Sequence, residues 1–468
     1  MRPEMNRARW ALLLGAMALL ASGCDVKNEL LQPQNPGIVD QGAVGSPAAA
    51  AALRVGALGR LKQLVNGGGG ETVWEEGGHL ADEFMNSDFQ NSRNDIDQRT
   101  ISPDNTLSNY TAITQSRGYI RDAIAAEQQF EPQKTADIGE LYLAMAFIEM
   151  QMGEDFCNGI PLGSNDAGVV DYSSPDFKAH TDAEVFDIAQ THIDSALAII
   201  GGATDVNSVF VRNASLITKA RILVDKGQFA AAAALVPTSA VPSTYQYLWI
   251  SQASSNGDDL GIWSLNNSVA RITVGDSVVQ YQGKTYFIAN AIPFASLNDP
   301  RVPVVSGLSL KLAPEDGLTP LFIQQIWKGR DDPIPMVSGI DARLIEAEAK
   351  LQAGDYAGMM TILNALRAAP PKIANFQPGA MTALTTTPTT KDGAATLFFR
   401  EKALWTFGRG QRLGDLRRLI RQYGRTQDKV FPSGEHYKGG NYGSDVNLPV
   451  PDGERVNPNF TGCVDRNA

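Results

Sequence analysis

The chain is poor in the residues from which metal and redox sites are built: its 468 residues include three cysteines and four histidines. His79, His180, His192 and His436 stand in no His-Glu-x-x-His arrangement, and no cysteines are closely paired, which excludes a dedicated zinc site by motif. Basic residues are also in deficit. Forty lysines and arginines face 51 acidic residues, a formal net charge of −11. That balance argues against a nucleic-acid partner and against electrostatic adhesion to anionic lipid. No apolar run reaches the roughly 20 residues of a membrane-spanning helix. Nucleophile and phosphate motifs are missing too: there is no Gly-x-Ser-x-Gly, and Gly283-Lys284-Thr285 ends like a P-loop but has Val278 where the leading glycine belongs. The run Gly67–Gly70 is followed by neither dinucleotide spacing nor a P-loop lysine, and reads as a helix breaker. The pairs Glu75-Glu76 and Asp82-Glu83 could serve glycoside hydrolysis or could simply cap helices. With no positive support for catalysis, the chain is expected to be a binding protein without cofactor or metal.

What is present begins with a lipoprotein-type signal. Arg7 and Arg9 precede the apolar segment Trp10–Ala21, and Ala21-Ser22-Gly23 leads into Cys24. This pattern predicts removal of residues 1–23 and lipidation of Cys24, with residues 24–45 as a tether. The alternative is an ordinary secretory signal with an incidental cysteine, since the usual leucine sits at Leu20 rather than at position 21. Residues 1–23 carry three arginines and one glutamate, so their loss takes the charge from −11 to −13. Cys157 and Cys463 then remain as an even pair in an exported, oxidising setting, where a disulfide is expected. Closing so long a loop stabilises by about 4–5 kcal/mol. Two unrelated buried thiols are the other possibility.

Apolar residues at helical spacing predict helices over Ala50–Val65, Leu107–Phe130, Ala136–Met152, Thr181–Ile200, Ser208–Lys226 and Phe229–Val236. The pattern returns over Asp341–Ala353, Tyr356–Arg367, Ala394–Phe407 and Leu413–Tyr423. Between them, residues 237–335 mix β-branched, aromatic and turn residues and read as an irregular portion of short strands and loops. The expected fold is mainly α: helical part 46–236, irregular ligand-binding portion 237–335, helical part and tail 336–468. A weak repeat runs through the helices. Ala220, Val224, Gly227 and Phe229 align with Ala347, Leu351, Gly354 and Tyr356, and Ala146, Met150 and Gly153 match with Phe156 displaced by one. The spacing suits tetratricopeptide units or generic helical hairpins.

Residues 70–106 form the binding-loop candidate. Trp74, Asp82, Glu83, Arg93 and Asp95 are the candidate contacts, because aromatic faces with amides, carboxylates and arginines suit polyhydroxylated ligands. The same cluster equally suits a protein interface or a salt-bridged loop. Trp249, Trp263, Trp327, Tyr245 and Tyr247 are further aromatic platforms or core residues.

The C-terminal third adds a family resemblance. Asp341-Ala342-Arg343-Leu344-Ile345-Glu346-Ala347-Glu348-Ala349, Gly354-Asp355-Tyr356 and Leu363-Asn364-Ala365-Leu366-Arg367 resemble the SusD/RagB family of nutrient-uptake lipoproteins. So do Leu397-Phe398-Phe399-Arg400-Glu401-Lys402-Ala403-Leu404 and Gly410-Gln411-Arg412-Leu413-Gly414-Asp415-Leu416-Arg417-Arg418, although Arg400-Glu401 reverses the family's usual Glu-Arg order. The resemblance implies tetratricopeptide-like helix pairs and an irregular ligand-binding portion. It further implies a lipid-anchored protein on the outer face of the outer membrane, which binds glycans or other oligomers without cleaving them and hands them to a SusC-type TonB-dependent transporter. Asp25, directly after Cys24, is an inner-membrane retention signal in some Gram-negative bacteria and part of surface export in others. The family's glycan contacts align with no position here, so none is carried over. Arg412 and Asp415 read as structural residues. Two other functions stay open: a tetratricopeptide-type scaffold lipoprotein that binds other proteins, and a cell-surface glycoside hydrolase.

Overall fold

Alanines and leucines following Pro47 form the first helix, α1 (Pro47–Gly59), started by Ser46, whose hydroxyl accepts from the Ala49 N–H at 3.2 Å. The computed structural model describes residues 45–61, 64, 72–103, 109–163, 170–251, 259–460 and 462–463. The signal segment 1–23, Cys24, the tether to residue 44 and the glycine run Gly67–Gly70 lie outside the described residues.

The next segment departs from expectation. Residues 72–97, read as a binding loop, fold as α2 (Val73–Leu80), β1 (Phe84–Asn86) and α3 (Asn91–Asp97). A capping box makes α2: Thr72 caps the Glu75 N–H while the Glu75 carboxylate takes the Thr72 N–H at 2.8 Å. That Thr-x-x-Glu signature was legible in the sequence, but Gly77-Gly78 masked it.

The long helices follow: α4 (Asn109–Phe130), α5 (Thr135–Asp155), α6 (Asp182–Ile200), α7 (Val206–Asp225) and the short α8 (Phe229–Leu235). Helix α5 is the central one. It packs against α1, α4, α6 and α7, and every residue from Leu143 to Asp155 is buried. An all-round buried helix is what a sequence without a polar face implies. Its exceptions, Glu149, Gln151, Glu154 and Asp155, therefore need partners.

The two aligned copies of the repeat share one backbone device. At the end of α7, Gly227 donates to Val224 and Gln228 to Leu223; after α9 (Gly339–Gln352), Gly354 donates to Leu351 and Asp355 to Lys350. Both glycines are left-handed, at φ 74° and 76°. Each is a Schellman stop that turns the chain into the next helix, α8 or α10 (Tyr356–Ala368). The third copy does not exist as such: α5 runs through Gly153 to Asp155. That glycine serves close approach instead, since a Cβ there would lie 2.8 Å from the Phe186 ring of α6.

Residues 237–338 leave and re-enter the helical array side by side. Strand β2 (Gln246–Trp249) pairs antiparallel with the last strand of the insert, Ile334–Ser338. Within lie β3 (Ile272–Val274), β4 (Val278–Tyr281), β5 (Lys284–Phe287), β6 (Val304–Ser306) and β7 (Phe322–Gln324), so Ile334–Ser338 is β8. β1 pairs with β3, β4 with β5 and β6 with β7, all antiparallel. The β4–β5 hairpin turns on Gln282 and Gly283, both at positive φ, as a two-residue turn of the primed kind requires. Helices α11 (Lys391–Trp405) and α12 (Arg412–Arg421) close the chain's helical part. The tail returns to the end of α5: Cys157 N–H donates to Leu448 at 2.9 Å, and Cys157 and Cys463 are joined in a disulfide across 306 positions.

Candidate ligand-binding site

The structure places four of the five sequence-predicted contacts in the interior. Trp74 is buried, its indole N–H donating to Gln151 Oε1 at 3.1 Å and its ring edge-on to Phe147 at 6.4 Å. Asp82 receives two parallel hydrogen bonds from Arg412, at 2.6 and 2.9 Å, and a third from the Ile292 N–H at 2.8 Å. Glu83 accepts from the Gly408 N–H at 3.0 Å. Arg93 is buried against Asp88, and Asp95 is half-buried on α3, its carbonyl accepting from the Thr100 N–H at 2.8 Å. Four of the five differ from the expectation of exposed contacts: Trp74, Asp82, Glu83 and Arg93 are buried in the layer that joins the helices to the insert. For Trp74, Asp82 and Glu83 the physical reason is that their partners come from distant parts of the chain, where local sequence cannot show them. Trp327 is core as well, and Tyr245 and Tyr247 pack on Phe210 at 5.4 and 5.6 Å.

The C-terminal motifs supply the other half of that layer. Arg409 pairs with Asp341 at 2.6 Å, Arg417 with Asp182 at 2.6 Å, and Arg418 with Glu348 at 2.6 Å and Asp415 at 2.8 Å. Arg221 reaches Glu154 at 2.8 Å and Lys402 reaches Asp415 at 2.6 Å. Glu401, second in the reversed Arg-Glu pair, binds Arg301 at 2.6 Å and Arg367 at 2.9 Å. The network encloses a void of about 20 Å³, room for a water and no ligand.

Several carboxylates in this layer lack a cation of their own. Burial pushes Glu83 and Glu76 up to about 8, and Glu75 and Asp155 up to about 7. Between the ordinary values of 4.5 for the glutamates and 3.8 for Asp155 and these raised values, the unfolded chain releases protons that the folded chain keeps. Stability from these groups is therefore lost as pH rises through that window. We predict that Glu83→Gln, which keeps the hydrogen bond from Gly408, melts higher than the parent at pH 8 and level with it near pH 4.5. Melting curves across that range check it, and an equal melting temperature at pH 8 would contradict it.

The exposed chemistry lies one layer outward, on the insert. The β4–β5 hairpin stands over the β1–β3 ribbon, leaving a cavity of about 100 Å³ among Met85, Val274, Asp276, Gln280, Pro320 and Phe322. Val278 and Phe287 face each other across the hairpin, and Phe287 is 73 % exposed. Beside them Thr285 Oγ1 donates to Gln280 Oε1 at 3.0 Å. Lys438 ties in two neighbouring loops, donating to the Asp88 carbonyl and pairing with Asp316, each at 2.8 Å. Asp316 in turn accepts from the N–H groups of Leu318 and Thr319. Phe89, 75 % exposed, and Leu318 follow directly on these anchored residues. Below, Tyr281 packs edge-on to buried Tyr437 at 5.6 Å. The hairpin thus presents an exposed face where Val278 and the Phe287 ring stand beside an amide and a hydroxyl, with the Asp276 carboxylate buried at its base. Alternation in Val278–Phe287 and its turn were legible as strands, but not which of its two faces meets solvent.

Among the described residues no cluster of three His, Cys, Asp or Glu side chains is placed to hold a metal ion. No protein-family model matches the chain, and no curated protein matches it in sequence. Solved structures do match in three dimensions. A SusD superfamily protein from Bacteroides thetaiotaomicron, 12% identical, superposes with a TM-score of 0.58 over 90% of this chain and 98% of its own. A SusD superfamily protein from Bacteroides vulgatus, 16% identical, gives 0.57 over 90% and 99%. A SusD-like carbohydrate binding protein from Bacteroides vulgatus, 13% identical, gives 0.52 over 80% and 83%. The chain thus has the SusD-like fold that its C-terminal motifs resemble.

Proposed function

We propose that this chain is a saccharide-binding protein and that the hairpin face carried by Val278–Phe287 receives the ligand. The observation that carries this reading is the exposed ring of Phe287, set across from Val278 and beside the Gln280 amide and Thr285 hydroxyl on the hydrogen-bonded hairpin. A ring face accepts the apolar side of a pyranose, while amide and hydroxyl satisfy its hydroxyls. A neighbour in fold described as a carbohydrate binding protein supports it. The reading is one of binding without cleavage. The candidate acid pair Asp82-Glu83 is buried and held by Arg412 and Gly408, out of reach of a glycosidic bond.

Phe287→Ala is expected to weaken an oligosaccharide about ten-fold, the ~1.4 kcal/mol of one lost stacking ring. Calorimetric titration with a panel of neutral oligosaccharides tests it, and unchanged affinity would reject the face. In the same proposal Cys24 carries a lipid, the protein sits on the outer surface of the outer membrane, and it passes its ligand to a SusC-type TonB-dependent transporter. A mild-detergent pull-down from native membranes tests that step: a stoichiometric TonB-dependent β-barrel supports it, and recovery of inner-membrane assembly factors without such a barrel overturns it.

A further inference from the structure

A second concavity lies away from the hairpin face, between the loop 297–301, the extended segment 380–384 and helix α11. At about 480 Å³ it falls within the usual range for small-ligand pockets, roughly 300–1,000 Å³. One wall is apolar, formed by Leu297, Pro300, Leu384, Leu397 and Leu404.

Its floor is an ion-pair network with no capacity left over. Arg301 is buried, donating from Nε and Nη2 to the two carboxylate oxygens of Asp299, each at 2.8 Å, and from Nη1 to Glu401 at 2.6 Å. Arg367 donates to the other Glu401 oxygen at 2.9 Å and to the Thr382 carbonyl at 2.8 Å. Two guanidinium groups and two carboxylates cancel. Trp405 lies under Arg301, 5.2 Å from ring centre to guanidinium, and holds the floor in place.

Arg400 is the group that this balance leaves over. It lines the same cleft, is exposed, and makes no ion pair or hydrogen bond with any described residue. Its neighbour Glu401 is already taken by Arg301 and Arg367. The cleft therefore carries one uncompensated positive charge in a chain whose net charge is −11. A guanidinium presents a planar fork of donors that matches a carboxylate two bonds at a time.

We infer that this cleft is a second ligand site, for an acidic saccharide, with Arg400 pairing to the carboxylate of a uronic-acid unit and the leucine wall meeting its ring. This rests on the saccharide reading above and adds the ligand's charge class and a separate place for it. The hairpin face, by contrast, has its nearby cation Lys438 already paired with Asp316.

Titration with trigalacturonate and with its methyl ester, in which the carboxylate charges are removed, tests the inference. The parent protein should prefer the acid at least ten-fold, and the preference should shrink as salt is raised. Arg400→Ala should abolish it, Arg400→Lys should keep part of it, and Phe287→Ala should leave it intact. Because Arg400 is exposed and pairs with none of the described residues, its removal should leave the fold and melting temperature unchanged. Equal binding of acid and ester, no binding of the acid at millimolar concentration, or a preference that survives Arg400→Ala would each overturn the second site. If Phe287→Ala removes the preference and Arg400→Ala does not, the acid occupies the hairpin face and the saccharide reading survives alone. If neutral oligosaccharides also fail to bind the parent, that reading falls with it.

Discussion

Arg412→Ala will destabilise the protein by about 3–5 kcal/mol, because it leaves a buried carboxylate without its cation. Arg412 and Asp82 are both buried and joined by two parallel hydrogen bonds across 330 positions of sequence. After truncation, Asp82 keeps only the Ile292 N–H at 2.8 Å, too little to offset its desolvation. Arg412→Lys should recover little, since an ammonium cannot make the parallel pair. The double variant Asp82→Leu/Arg412→Met should be more stable than Arg412→Ala, because it removes both charges together. Denaturant titration of the three variants checks the order. Ligand affinity of whatever Arg412→Ala protein folds should match the parent, which separates a structural role from a binding one. Unchanged stability with lost binding would reverse the assignment.

Replacing Cys157 and Cys463 with serine will lower stability by about 4–5 kcal/mol through the loop-closure entropy returned to the unfolded chain. The bridge spans 306 positions, far longer than the loops of most small disulfide-bonded domains. The native tail keeps other ties: Leu448 exchanges hydrogen bonds with Asp155 and Cys157, Asn457 donates to the Phe177 carbonyl at 2.8 Å, and Phe460 is buried. The folded state should therefore persist in the serine variant, with its midpoint in denaturant lowered and the tail more open to protease. Equal midpoints for parent and variant under non-reducing conditions would contradict the account. Reductant should move the parent to the variant's midpoint and leave the variant where it was.

How far the sequence revealed this molecule depends on the range of the interactions involved. Helices α4 to α7 and α9 to α12 were legible within a few residues, since periodicity and caps are local. The stops at Gly227 and Gly354 were legible for the same reason. Gly153 belonged to the same pattern yet stops nothing: its use is set by the Phe186 ring of another helix. Trp74, Asp82, Glu83 and Arg93 looked like a ligand-facing cluster because local sequence shows charges and aromatics but not their partners. Gln151, Arg412 and Gly408 supply the partners of Trp74, Asp82 and Glu83 from 77 to 330 positions away, while Arg93 is buried against nearby Asp88. The hairpin face escaped for the converse reason. Phe89 and Phe287 read as core residues by type, and only the tertiary packing leaves them in solvent.

The central claim is that ligand meets the outer face of the insert and not the buried charged layer beneath it. Hydrogen–deuterium exchange with and without a saturating neutral oligosaccharide tests this directly. Slowed exchange should concentrate in residues 278–287, with lesser protection at 87–90 and 316–322, while residues 73–83 and 408–418 stay as slow as they were before. Protection confined to other surfaces, or none in the hairpin at saturation, would contradict the account.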